Sequence, residues 1–112
     1  MRIVLIGQAR FAEDVLKALL EKGAEVVAVY APPDAPGRPD SLKVAVEAAG
    51  IPVFQPPTMR APEVYQQYIK LEPELNVMAF VTDILPQNIL DYPRFGSIQY
   101  HPSLFLRFLY LW

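Results

Sequence analysis

A chain of 112 residues, 53% hydrophobic and 20% charged, can bury one small core and little more. That balance excludes disordered and fibrous classes, and a formal net charge of -2 gives no electrostatic footprint for nucleic acid or an anionic membrane. The sequence has no cysteine, so disulfides, zinc–thiolate sites and thiol catalysis fall away as well.

The chain opens on RIVLIG (2–7), a short β-branched apolar run ending in glycine, as expected of a strand buried on both faces. Phe11, Val15, Leu16, Leu19 and Leu20 then recur at helical spacing over 11–22, and Gly23 stands where a left-handed cap would end that helix. AEVVAVYA (24–31) predicts a second strand, and the four prolines and one glycine of PPDAPGRPD (32–40) an irregular, mobile loop. A second helix starts after Asp40 or Ser41, runs through Val44, Ala45 and Ala48, and stops at Gly50. IPVF (51–54) is a third strand, followed by the loop QPPTMRA (55–61).

Pro62 suits the first turn of a third helix, with Val64, Tyr65, Tyr68 and Ile69 on its buried face. ELNVMAFV (74–81) is a fourth strand, Pro86 opens a helical turn to Leu90, and 96–100 form a fifth strand. Strands alternating with helices predict an α/β fold: a Rossmann-like open parallel sheet with helices on both faces. No run approaches the roughly 18 apolar residues of a membrane span. The N-terminus lacks the cleavage pattern of a signal peptide, so a cytoplasmic protein is expected.

Ligands of such sheets bind at the carboxyl ends of the strands. Three segments meet that edge: Gln8–Phe11, Thr82–Leu85 and His101–Ser103. GQARFA (7–12) has the spacing of a dinucleotide fingerprint but carries Ala9 in place of its second glycine, and Tyr30 stands where a ribose-gripping acid belongs. A plain strand-to-helix turn is the expectation there. Glu13, Asp14, Glu21 and Glu47 read as solvated helix faces, and Tyr65 and Tyr68 as core aromatics. Asp83 follows a buried strand and either caps the turn at Pro86 or faces the ligand edge. His101, the one histidine, lies just past a parallel strand, and its ordinary pKa of about 6.5 suits proton transfer.

Three segments carry a likeness: IGQARFAEDVLKALLEKGAEVVAVYAPPD, NVMAFVTDILP and GSIQYHPSL. Together they resemble the N-terminal domain of the folate-dependent formyltransferases over roughly residues 1–104, in particular the hydrolase domain of 10-formyltetrahydrofolate dehydrogenase, with methionyl-tRNA formyltransferase a relative. The resemblance implies formyl transfer or hydrolysis with 10-formyltetrahydrofolate as donor and no metal. It makes His101 the residue that deprotonates the nucleophile or, as imidazolium, stabilises the oxyanion. Gln99 falls at the family's asparagine position, its extra methylene shifting the amide donor. The stretch Val77, Met78, Ala79, Phe80, Val81, Thr82, Asp83 and Ile84 corresponds to the segment that cradles the pterin, with Gln8 and Ser103 as further substrate contacts.

After Leu104 the likeness ends, and 105–112 (FLRFLYLW) form a divergent apolar tail with Arg107 its one charge. The family's downstream catalytic Asp has no counterpart after His101. Impaired catalysis is therefore expected, whether the reading frame leaves the family sequence here or the chain is a short variant. Such a tail must fold over the sheet, pair with an edge or bury in a partner, so self-association is expected. The competing readings are a non-catalytic Rossmann-like association module that docks a partner through the tail and a degenerate nucleotide-binding fragment.

Overall fold

The computed structural model describes residues 1–38, 40–81, 83–100 and 109–111. Thr82, His101 and Ser103, and the expected boundary at 104/105, lie outside the described residues. The elements in chain order are β1 (Arg2–Gly7), α1 (Ala9–Glu21), β2 (Glu25–Tyr30), α2 (Ser41–Ala48), β3 (Val53–Phe54), α3 (Pro62–Ile69), β4 (Leu75–Ala79), α4 (Gln87–Asp91), β5 (Ser97–Tyr100) and β6 (Leu109–Leu111).

The sheet order is β3-β2-β1-β4-β5-β6. The first five strands pair in parallel, and β6 joins the edge antiparallel to β5, with Gln99 opposite Tyr110. The fold is thus the Rossmann-like arrangement expected, with one antiparallel strand added. Of the dispositions open to the tail, residues 109–111 take the edge pairing.

Alternation along the central strands builds two core layers. Ile3 and Leu5 of β1 and Val77 and Ala79 of β4 pack with Ala12 and Leu16 of α1 and Leu42 and Val46 of α2. Val4, Ile6 and Met78 pack on the opposite face with Val64 and Tyr68 of α3 and with Ile89 and Leu90. Helix α1 buries Leu16 and the unforeseen Ala12, whereas Leu20 stays 39% exposed, beyond the edge of its apolar stripe. It ends at Gly23 with φ of 76°, the conformation that a Cβ disfavours, and Ala24 N–H closes back on the Leu19 carbonyl at 3.0 Å.

One polar network crosses the second layer. The fully buried Tyr68 hydroxyl donates to Asn76 Oδ1 at 2.6 Å. Asn76 Nδ2 donates to the Ile89 carbonyl and to Ser97 Oγ, each at 3.0 Å, and Ser97 Oγ donates to the Leu90 carbonyl at 2.8 Å. These contacts join α3, β4, α4 and β5. Burial pushes the Tyr68 phenol well above its ordinary range, so it remains a donor at every working pH. Truncating the hub leaves a buried hydroxyl and a carbonyl short of partners. Asn76→Ala is expected to lose about 2–3 kcal/mol of stability in urea unfolding. A loss under about 0.5 kcal/mol would show the network to be dispensable.

Candidate functional site

The strand order reverses direction between β1 and β4, and the two strands separate their connections there. At their carboxyl ends, Gly7 packs so tightly that an added Cβ would overlap the Ala79 carbonyl oxygen and crowd the Ala12 methyl at 2.9 Å. Gln8 N–H donates to the same carbonyl at 3.4 Å. Ala9 and Phe80, which follow those strand ends, are two of the three non-glycine residues with positive φ among the described residues, at 63° and 57°. Each such conformation costs about 1 kcal/mol and persists only where the surroundings impose it.

Beside this junction lies a cleft of about 290 Å³. Gly7 and Gln8 form its floor after β1, and Tyr30 to Pro33 one wall after β2. Pro56, Pro57 and Met59 form a second wall, with Phe80, Val81 and Asp83 closing the side toward β4. Four prolines hold these walls in backbone shapes that lose little entropy on binding. The surface mixes apolar and polar groups, as small-molecule clefts do.

Asp83 fastens two of the walls together. Its Oδ2 accepts from Met59 N–H at 2.9 Å and its Oδ1 from Ile84 N–H at 2.8 Å. It does not cap the turn after Pro86, because α4 has no side-chain cap. Tyr30 is fully buried, stacks at 5.2 Å against Phe54, and donates its hydroxyl to Gln67 Oε1 at 3.2 Å. Burial raises its phenol to about 12, which makes it a neutral wall and not an acid or base near pH 7.

The described residues expected at the site divide into three groups. Gln8, Phe80, Val81 and Asp83 meet in the cleft. Val77, Met78 and Ala79 are strand residues with side chains in the two core layers, so the loop proper begins at Phe80 and not at Val77. Ile84 is 69% exposed and is not among the residues that line the cleft, and Gln99 is half-buried in β5 opposite Met78. Tyr30, the prolines and Met59 were not anticipated as lining, although their loops follow β2 and β3 at the same edge. Asp14 is on the solvated face of α1, paired with Arg10 at 3.7 Å, whereas Glu13, expected there too, has a side chain only 16% exposed and pairs with Lys17 at 3.2 Å.

The proline-rich loop 32–40 is irregular as expected, but it is tethered. Asp34 accepts from Asp40 N–H at 3.2 Å, Gln55 Nε2 at 2.8 Å and Lys43 Nζ at 3.0 Å. Asp40 in turn accepts from Leu42 N–H at 2.8 Å, capping α2, and from Ala9 N–H at 3.0 and 3.2 Å. A carboxylate therefore stands at the turn where a dinucleotide's pyrophosphate would sit, which argues against the nucleotide reading.

The profile of the family described as formyl transferase matches residues 1–109. The chain is 43% identical over 112 residues to the cytosolic 10-formyltetrahydrofolate dehydrogenase of Xenopus tropicalis, covering 96% of this chain and 12% of that protein. It is 46% identical over 113 residues to the methionyl-tRNA formyltransferase of Pseudomonas putida (strain W619), covering 96% of this chain and 36% of that one. Among solved structures, the phosphoribosylglycinamide formyltransferase from Bacillus halodurans superposes with a TM-score of 0.71 at 20% identity. That match covers 94% of this chain and 58% of the other, and it supports the fold. The chain thus spans well under half the length of the curated relatives it matches.

The loop tether has a pH signature. The Asp40 amide, then Lys43 and Gln55, hold the Asp34 carboxyl below the ordinary carboxylate value. A depressed folded value means stability that is present above the ordinary range and lost as pH falls through it. The melting temperature is expected to drop more steeply from about pH 5 to pH 3 in the parent than in Asp34→Asn. Parallel curves would remove Asp34 from the tether.

Proposed function

The chain belongs to the formyl transferase family, and we propose that it binds a folate carrying a formyl group on N10 and passes that group to an amine or to water. The observation that carries this reading is the meeting of Gln8, Phe80, Val81 and Asp83 in one apolar cleft at the junction of β1 and β4. A planar pterin suits walls built of proline, methionine and aromatic side chains, and its ring N–H groups suit backbone carbonyls and a carboxylate. Among the described residues each Asp83 oxygen receives one backbone N–H, which leaves a second lone pair on each for such a contact.

In the proposed reaction the nucleophile adds to the formyl carbon, and the carbonyl oxygen becomes an oxyanion. Collapse breaks the bond to N10, which takes up a proton as it leaves, and the formyl group stays on the acceptor. His101, two residues beyond Gln99, would take the proton from the nucleophile or, as imidazolium, stabilise the oxyanion. The Gln99 amide would donate to the same oxygen. Ser103 and the backbone around Thr82 would complete the contacts to the donor. No step calls for a metal. Among the described residues no helix is long and apolar enough to cross a membrane.

The second reading, a non-catalytic association module, draws on β6, which ends the sheet order and extends an edge. Formyl release from 10-formyltetrahydrofolate distinguishes the two. Release is expected to be slow, with the parent chain faster than His101→Ala by at least about tenfold. Equal rates would remove His101 from the chemistry. Background release from both proteins, with a mass that rises with concentration in light scattering, would favour the association module instead.

A further inference from the structure

The turn after β1 has one contact that the formyl-transfer reading does not use. Asp40 reaches across from the start of α2 and sets both carboxylate oxygens on the Ala9 N–H, at 3.0 and 3.2 Å. One of those oxygens also receives Leu42 N–H at 2.8 Å. The same anion therefore answers the positive ends of two helices. Ala9 accepts a left-handed φ of 63° in the turn that presents its N–H. Gly7 and Gln8, the two residues before it, line the cleft. The cation on the first turn of α2, Lys43, is already paired with Asp34 at 3.0 Å.

We infer that Asp40 is a specificity residue. It is a resident carboxylate that fills the anion position at the turn whose first residues, Gly7 and Gln8, line the cleft, and it excludes ligands that would bring a phosphate to this turn. An incoming phosphate would meet Asp40 at hydrogen-bonding range of the same N–H and be repelled by its charge. A neutral or cationic acceptor meets no such barrier. The substrate class is then a formyl acceptor with no phosphate at this position: water, or an amine whose anionic groups lie elsewhere. This deepens the proposed function and rests on the cleft being the ligand site.

Two variants test it in the full 112-residue chain. Asp40→Ser keeps a helix-capping oxygen for Leu42 but is too short to cover Ala9, and Asp40→Asn keeps the shape without the charge. Pyrophosphate is titrated into the parent and both variants by calorimetry at matched ionic strength. Asp40→Ser is expected to bind pyrophosphate at least about tenfold more tightly than the parent, with Asn between them. Equal affinity in all three proteins, or equal absence of binding, would overturn the inference. A folate analogue titrated into the same parent sample separates the two claims. If it fails to bind while the pyrophosphate series holds, the cleft reading falls and the role of Asp40 in excluding anions stands.

Discussion

The close approach of Gly7 to the Ala79 carbonyl is the contact on which the rest of the molecule depends. β1 is buried by helices on both faces and hydrogen-bonded on both edges, so it has no freedom to move aside. Its last residue must pass a carbonyl of β4 and the methyl of Ala12 at once, and only a residue without a Cβ can do so. The chain then leaves through Gln8, whose N–H is bound to that same carbonyl. The turn into α1, the floor of the cleft and the positive-φ residues Ala9 and Phe80 all lie within two residues of this contact.

Two carboxylates extend that constraint outward. Asp40 ties the turn to α2 and Asp34 ties Asp40 to Lys43 and Gln55, so a loop with four prolines becomes a fixed wall. Asp83 does the same on the other side by holding Met59. The cleft is therefore flanked by acids whose oxygens are engaged with backbone N–H groups and, for Asp34, with Lys43 and Gln55.

Much of the fold was legible because it rests on local signals. Helical spacing marked α1, Pro62 opened α3, Asp40 capped α2, and apolar runs marked the buried strands. Boundaries drifted where pairing decides them: β4 stops at Ala79 because its partner β1 stops at Gly7. The site was legible by topology to the level of its loops. What composition could not reveal was which side chains those loops turn inward. Tyr30 looked like a missing acid and is a buried wall, and Asp83, read as a cap or a ligand-edge residue, lines the cleft and braces two loops. Both depend on contacts between residues far apart in sequence. The Ala9 departure from the glycine fingerprint was visible, but the carboxylate of Asp40 on its N–H was not.

The central claim is that the junction of β1 and β4 receives a folate-type ligand. The direct measurement is amide chemical-shift mapping of the isotopically labelled chain titrated with a stable formyl-folate analogue. The account predicts saturable shifts concentrated at Gln8, Phe80, Val81 and Asp83, with Gln99 responding as the formyl end reaches β5. Saturable shifts confined to the outer faces of α1 to α4, or none at ligand excess, would contradict it.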